Sequence, residues 1–532
     1  MDWKQYRMLA DADKRNEAYY IIGLDIGNDS SSIAFYNLNG DVSEVIDLSG
    51  GYGKPSIPTV VQYIQETGEW VFGEYAILNR GIGTEITMTS LVAALGSFGK
   101  MTIAGKSMTN AQVLGLFIKE LLGCVKNINP RAVIVGIVAS VPAYFSESAA
   151  QELTDAFIHS GYEKELIALI SDRECVLTHF YASGDAHDDG TLNLLLDFGS
   201  QALRGGIYQT KKDADELTVK CISSLSDETI GEGFIMKDVR TLIESFVDMK
   251  RMQSKEVAQL HEQVSAFAYQ HKDMLFQKNI RTKPVKLYYN FVFPPAAHTV
   301  AHEKIEALVQ PYVLGFKNFL IKLFENAQAE TMQKSDIINV LTVGGGFEML
   351  WARDVVQDEF SDKQVVRYKN PKLEAAKGAA IIAAQMLGLK TAAPKIQLID
   401  LNQIQDDIGI FDDGGFITLI DRKSFWWDEV KPKLVLVTED VNDTLEMTLG
   451  MLTHAAQKTR GAVNPDAKPD DVSSPKHVLT LKGLPIRPKR TTRLQIAPKF
   501  TSATELDIQV KDLGFGDIFP KTEYEQSFKV KL

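Results

Sequence analysis

LLLDFGSQALRGG, residues 194–206, decides how the chain is read. An apolar run ends at Asp197, Gly199 follows, and the pattern then breaks into Ser200, Gln201 and Arg204. A short apolar run bounded by turn residues predicts a buried strand and then a turn. Glycine lets backbone approach a ligand closely, and successive turn amides can donate hydrogen bonds to phosphoryl oxygens. Yet Arg204 stands where a second acid would help to hold a metal. On these residues alone three readings stay open: a working nucleotide loop, a decayed one, or a strand and turn with no ligand.

The same plan occurs earlier. YIIGLDI (20–26) is a strand pattern, Asn28–Ser32 a polar turn, and IAFYNL (33–38) the returning strand, with a hairpin signal at Asn39-Gly40. Two acid-bearing hairpins so far apart suggest a duplicated α/β lobe rather than a small repeat. Gly27, Asn28 and Asp29 could cradle phosphate, and Asp25 could hold magnesium through its water shell. An ordinary hairpin explains the same residues.

Between the hairpins, residues 110–128 and 146–161 carry helical spacing, the second opening on Ser146 and closing on Gly161. AVIVGIVASVP (132–142) is a strand stopped by Pro142. Residues 233–280 read as mostly helical. DIINVLTVGGG (336–346) is a strand running into Gly344, Gly345 and Gly346, where a phosphate or a nucleoside could meet backbone; a tight connection is the plainer reading. Residues 375–388 form a helix of small residues suited to close packing. Beyond residue 391 the pattern changes to short β runs with few helices, a β-rich domain.

The bulk numbers narrow the class. The chain has 532 residues, 45% hydrophobic and 24% charged, with a net charge of −12. That suits a multidomain globular protein and argues against a general nucleic-acid binder or a membrane-surface protein. No apolar run is long enough for a bilayer span, and the charged N-terminus lacks a leader core. Three scattered cysteines suit neither a disulfide framework nor a zinc cluster, so a cytoplasmic setting is expected. Walker, dinucleotide, G-x-S-x-G, H-E-x-x-H and C-x-x-C motifs are missing from the sequence.

Taken together these pieces resemble the DnaK-like seventy-kilodalton heat-shock chaperones. The sharpest stretch is Val141-Pro142-Ala143-Tyr144-Phe145-Ser146-Glu147-Ser148, similar to that family's V-P-A-Y-F-x-[DE]-S. Ser56–Val61, Phe72-Gly73-Glu74, Lys334–Ile337 leading to Gly344–Gly346, Asn370-Pro371, Gly378-Ala379-Ala380, Ile396–Leu401, and Ile408–Ile410 with Gly414-Gly415 follow in the family's order. The resemblance implies a charged extension (1–19), an actin-like α/β ATPase domain of two duplicated lobes (20–390), a hydrophobic linker (391–401) and an all-β sandwich peptide-binding-like domain without a helical lid (402–532). It implies ATP or ADP with Mg2+ as cofactors, and an unfolded or dedicated client protein, with co-chaperones, as partners.

The family's roles map unevenly. Asp25, Asp172 and Asp197 take its catalytic acids, with Asp25 and Asp197 facing magnesium through water. Gly27, Asn28, Asp29, Gly199, Ser200, Gln201, Arg204, Gly231, Gly344, Gly345 and Gly346 take its nucleotide contacts, and Pro142 its allosteric switch. Ile410, Asp413, Phe416 and Glu439 take its client site, where Asp413 and Glu439 make an acidic arch. Asn28 and Asp29 replace threonines, Ser200, Gln201 and Ala202 replace G-G-T, and Arg204 replaces an acid. The catalytic lysine falls at Val92, the adenine-clamping Lys-Arg pair at Asp273 and Met274, and the stacking arginine at Glu348. Phosphoryl transfer depends on positioned charge, so such losses lower turnover before binding. The leading expectation is a divergent chaperone coupling nucleotide state to a client. A pseudo-ATPase scaffold with a dedicated partner is the alternative, and a small-molecule kinase on the same fold is third.

Overall fold

The computed structural model describes residues 18–36, 42–44, 54–143, 145–182, 189–213, 216–250, 252–276, 284–292, 294–327, 332–391, 393–400, 404, 407–412, 415–421, 424, 430–452, 463–464, 472–502 and 505–531. The chain divides into two compact units, Met1–Ile399 and Asp400–Leu532.

The first unit is built on two sheets of like plan. In one, β1 (Ala18–Ile26) lies between β2 (Ser30–Tyr36) and β3 (Ala132–Val141), with β4 (Leu166–Ser171) beyond β3. The β1–β2 pair is antiparallel, whereas β1–β3 and β3–β4 are parallel. In the other, β5 (Leu192–Phe198) lies between β6 (Leu203–Asp213) and β8 (Asn339–Val343), with β7 (Glu216–Asp227) beyond β6 and Gln364–Arg367 beyond β8. Again the hairpin neighbour is antiparallel and the inner neighbour parallel. Both central strands are buried apolar runs, as parallel pairing demands. Each carries its aspartate at the second-to-last position, Asp25 and Asp197.

Helices cover the sheets. α1 (Asn110–Ile128) starts on a capping box between Thr109 and Gln112. α2 (Glu147–Ser160) starts on the Ser146 hydroxyl and ends on Gly161 at φ 85°. α3 (Asp172–Ala182) follows β4 directly, so Asp172 is at its first residue. α4 (Glu232–Glu244), α5 (Ser254–Phe276), α6 (His302–Ala327) and α7 (Leu350–Glu359) pack on the second sheet around Phe198, Phe316, Phe319 and Phe347. α8 (Glu374–Met386) is the small-residue helix. A Cβ on Gly23 would strike its backbone, and one on Gly378 would strike the Cys175 backbone in α3, so the close approach requires glycine at both positions. Strand Lys395–Asp400 forms the edge beyond β7, and Ile396 and Leu398 pack on the apolar cluster of Val219, Cys221 and Leu341.

The second unit has a five-stranded sheet, Val463–Asn464, Gly415–Ile420, Asp407–Asp412, Thr444–Leu452 and Val472–Lys482 in spatial order. It also has a four-stranded one, Lys433–Leu436, Arg493–Ser502, Glu505–Asp512 and Glu525–Lys531. Both sheets contribute to one core that includes Ile410, Leu449, Leu481, Ile496 and Ile508. Beneath the turn at residues 512–522, Arg487 makes paired bonds of 2.8 and 2.9 Å to the buried Asp512 carboxylate.

Candidate functional site

A cavity of about 340 Å³ opens at the ends of β1 and β5. The two acid-bearing turns, the start of α3, Pro142 after β3 and the turn after β8 all reach it. Asp25, Gly27, Asn28, Asp29, Pro142, Asp172, Asp197, Gly199, Ser200, Gln201, Arg204, Gly344 and Gly345 line one wall or another. Residues separated by more than three hundred positions are thereby brought to one space.

Each acid is held differently. Asp25 pairs in register with Ser140 on β3, whose hydroxyl bonds its carboxylate. Burial pushes the Asp25 carboxyl up to about 7; the Ser140 bond opposes this, and Asp172 and Asp197 add to it. Asp197 is pushed up to about 6 by burial, against the pull of Arg204. It is 27% exposed, so cavity water relieves part of that push. Asp172 is also raised by burial, opposed by Arg204 and Arg173. It accepts the Arg173 amide at 2.7 Å and the Ala143 amide, which ties it to the turn at Pro142.

Arg204 lies directly across the hairpin from Asp197, its Nη1 3.6 Å from Oδ2. The arginine thus points into the cavity beside two acids and not into open solvent.

Asn28 is bound into the fold, because its Oδ1 accepts the Ala93 amide at 3.1 Å. That bond fixes the loop bearing Val92, which gives the cavity an apolar wall where a catalytic lysine was the family expectation. Thr59 supports the same turn, bonding the Gly27 carbonyl at 2.7 Å and Ser31 at 2.8 Å. Gly231 and Gly346 do not line the cavity. Gly231 precedes α4, whose first amides donate to the Gly199 and Ser200 carbonyls at 3.0 and 2.8 Å, and a Cβ on it would strike Ser200. Gly346 is held against the Phe198 ring. Gly344 sits at φ 91°, and a Cβ there would lie 2.5 Å from Asp197 Oδ1. Packing therefore accounts for several of these glycines, whereas Gly199 has room for a side chain.

Sequence reading missed a cluster of charges at one end of the cavity. Buried Lys272 on α5 bonds Glu232 and reaches Glu348 at 3.4 Å; Lys372 reaches Glu348 at 3.5 Å. The acids drive the Lys272 ammonium further toward its charged form despite burial, and Glu232 is held below its ordinary value. Asp29 is raised by burial and by Glu232. The adenine-clamp positions expected at Asp273 and Met274 begin one residue past the lysine that turns inward. The signal was present: Lys272 shares a helical face with Ala268, Leu275 and Phe276.

Around the cavity five carboxylates (Asp25, Asp29, Asp172, Asp197, Glu232) stand against three cations (Arg173, Arg204, Lys372). Among the described residues no three His, Cys, Asp or Glu side chains converge to hold a metal ion directly. In the second unit Ile410 and Phe416 are fully buried, in separate apolar clusters, and Glu439 is exposed. Asp413, Trp426, Trp427 and residues 1–17 lie outside the described residues.

The chain is similar along most of its length to known proteins. Over 509 residues the chain is 22% identical to the chaperone protein DnaK of Thermosipho africanus, covering 94% of this chain and 79% of the relative. It is 24% identical to the DnaK of Picrophilus torridus, at 93% and 76% coverage, and 22% identical to that of Methanothermobacter thermautotrophicus, at 93% and 78%. The chain is a distant relative of DnaK. Two families also match in part: a family of unknown function (DUF5716, C-terminal) over residues 43–204, and a domain of unknown function (DUF8552) over 467–532. The DnaK likeness spans both units of the chain, and no helix among the described residues is long and apolar enough to cross a membrane.

Proposed function

We propose that the chain is a divergent chaperone whose first unit, an actin-like ATPase fold, binds ATP or ADP with Mg2+ in the 340 Å³ cavity and couples that state to client binding by the second, β-sandwich unit. The observation that carries this reading is the convergence of Asp25, Asp172 and Asp197 with the turns at Gly27, Gly199 and Gly344 on one cavity. The excess of carboxylates over cations also fits a cation, because burial pushes Asp25 and Asp197 toward neutrality when nothing offsets their charge.

Magnesium, when bound, would supply charge neutralisation at the phosphates. Asp25 and Asp197 would hold it through its water shell, since Mg2+ keeps several of its waters. Gly27, Gly199, Gly344 and Gly345 present backbone to phosphate and nucleoside. Arg204 supplies a fixed cation toward phosphate, a role suited to a guanidinium. Asp172, bonded to the amide beside Pro142, relays the state of the cavity to that turn. The anchored strand Lys395–Asp400 carries it onward.

Slow or absent hydrolysis is the second reading, favoured by Arg204 against Asp197 and by the apolar Val92 wall. The coupling is tested with a permanently unfolded, carboxymethylated protein as client. Its dissociation rate from the full chain is measured with and without Mg2+·ATP. A change of several-fold is expected; an identical rate overturns the coupling.

A further inference from the structure

In the proposed function the turn at Gly344 and Gly345 presents backbone to the nucleoside. Two charged side chains lie over that backbone. A Cβ placed on Gly345 would meet the Lys372 side chain, Cε at 2.5 Å and Nζ at 3.2 Å, and also the Glu232 carboxylate. Gly199, on the turn assigned to phosphate, meets nothing closer than 3.6 Å. One end of the cavity is therefore covered by side chains, and this turn is not.

The cover is part of a ring of alternating charge. Glu232 at the start of α4 is bonded by Lys272 on α5, Lys272 reaches Glu348 at 3.4 Å, and Lys372 reaches Glu348 at 3.5 Å. Lys372 also acts on Glu232, which closes the ring over Gly345. Its two halves differ in strength. Lys272 and Glu232 are both buried and hydrogen-bonded, and a buried pair is costly to separate. Lys372 and Glu348 are 17% and 35% exposed, and 3.5 Å is long for a hydrogen bond. An ion pair near solvent is worth about fivefold or less in an equilibrium constant, so this half opens at small cost. The Lys372 backbone is fixed, because the Ser32 hydroxyl on β2 donates to its carbonyl at 3.3 Å and the Gly344 amide donates to the Pro371 carbonyl at 3.1 Å. What can turn is the flexible four-carbon stem and its ammonium.

We infer that Lys372 and Glu348 set which ligand the cavity takes: while paired they cover the nucleoside end, so a bare polyphosphate binds unhindered and a nucleoside enters only as the Lys372 ammonium swings off Glu348. This rests on the nucleotide reading of the cavity and deepens it, by making the base end a gate.

The test titrates the full chain by calorimetry with ATP and with inorganic tripolyphosphate, both with Mg2+, and reads the ratio of the two affinities. Lys372→Ala removes the ammonium, and Glu348→Gln removes its anchor. The buried Lys272–Glu232 pair remains in each variant. The first change takes a positive charge from this end of the cavity and the second a negative one. By charge alone the two variants would shift phosphate affinity in opposite directions, and both ligands in the same direction. Opening the cover instead raises the preference for ATP over tripolyphosphate in both variants, by about two- to fivefold. A ratio that is unchanged or lower in either variant, with both ligands still binding, overturns the inference and leaves the nucleotide reading standing. A wild-type chain that binds neither ATP nor tripolyphosphate overturns that reading, and this inference with it.

Discussion

Arg204 faces Asp197 across one rung of the hairpin that opens the second acid-bearing turn, Nη1 to Oδ2 at 3.6 Å. Arg204 also opposes the upward push on Asp172. Removing it leaves two cavity acids less compensated. Arg204→Met is expected to weaken ATP binding by about tenfold, and ATP more than ADP, because a phosphate-facing cation is lost. Calorimetric titration of both nucleotides checks this; equal affinity in variant and wild type would assign Arg204 to the hairpin alone.

Asp25 makes stability depend on pH in a defined direction. Burial pushes its carboxyl up to about 7 in the folded chain, from an ordinary value of 3.8 that the unfolded chain is expected to keep. The folded state therefore holds the extra proton between these values, so nucleotide-free stability rises as pH falls from 7 toward 4. Asp25→Asn is expected to raise the melting temperature at pH 8, by a stabilisation of roughly 2 kcal/mol, and to flatten this slope. Melting curves at pH 8 and pH 6 read both effects. A variant less stable than wild type at pH 8 contradicts the assignment.

The Lys272–Glu232 pair predicts the opposite kind of response. Lys272→Met leaves Glu232 buried without its partner and is expected to cost about 3–5 kcal/mol. Adding Glu232→Gln is expected to recover a large part of that loss. Denaturant titration of the single and double variants distinguishes a coupled pair from two independent surface residues, for which the losses would add.

Two glycines of one site separate packing from ligand approach. Gly344→Ala is expected to cost about 1–3 kcal/mol, since its φ of 91° is strained for a side chain and its Cβ would crowd Asp197. Gly199→Ala meets nothing closer than 3.6 Å and is expected to fold normally, with its effect confined to nucleotide affinity. Thermal melts and ATP titrations of the two variants should rank in opposite order of severity.

In the second unit Asp512 sets the sign of acid sensitivity. Burial alone would raise its carboxyl, yet the bonds from Arg487, Gly514 and Thr522 hold it below its ordinary value of 3.8. Its contribution is present above that pH and is lost as pH falls below it. Arg487→Met is expected to destabilise the unit by about 3–5 kcal/mol at neutral pH. Its melting is then followed alongside wild type from pH 5 to pH 3, where the wild type should lose stability more steeply.

Much of this was legible in the sequence because the determinants are local. A buried strand such as residues 192–198 writes itself as an apolar run, and caps such as Ser146 and Gly161 mark helix ends one residue at a time. The glycines of the cavity turns were also visible, though Gly231 and Gly346 serve packing behind the cavity. The charge network was hidden: Lys272, Glu232, Glu348 and Lys372 come from four separate segments, and only their meeting gives them meaning. Ile410 and Phe416 look the same in sequence whether they face a client or a core, and both are buried.

In the proposed function the cavity takes a magnesium nucleotide through Asp197. Calorimetric titration of the full chain with ATP, with and without Mg2+, tests it most directly beside the Asp197→Ala variant. Sub-millimolar binding that requires Mg2+ and falls at least tenfold in the variant is the predicted result. No detectable heat at millimolar ATP, or binding that Asp197→Ala leaves unchanged, would contradict it.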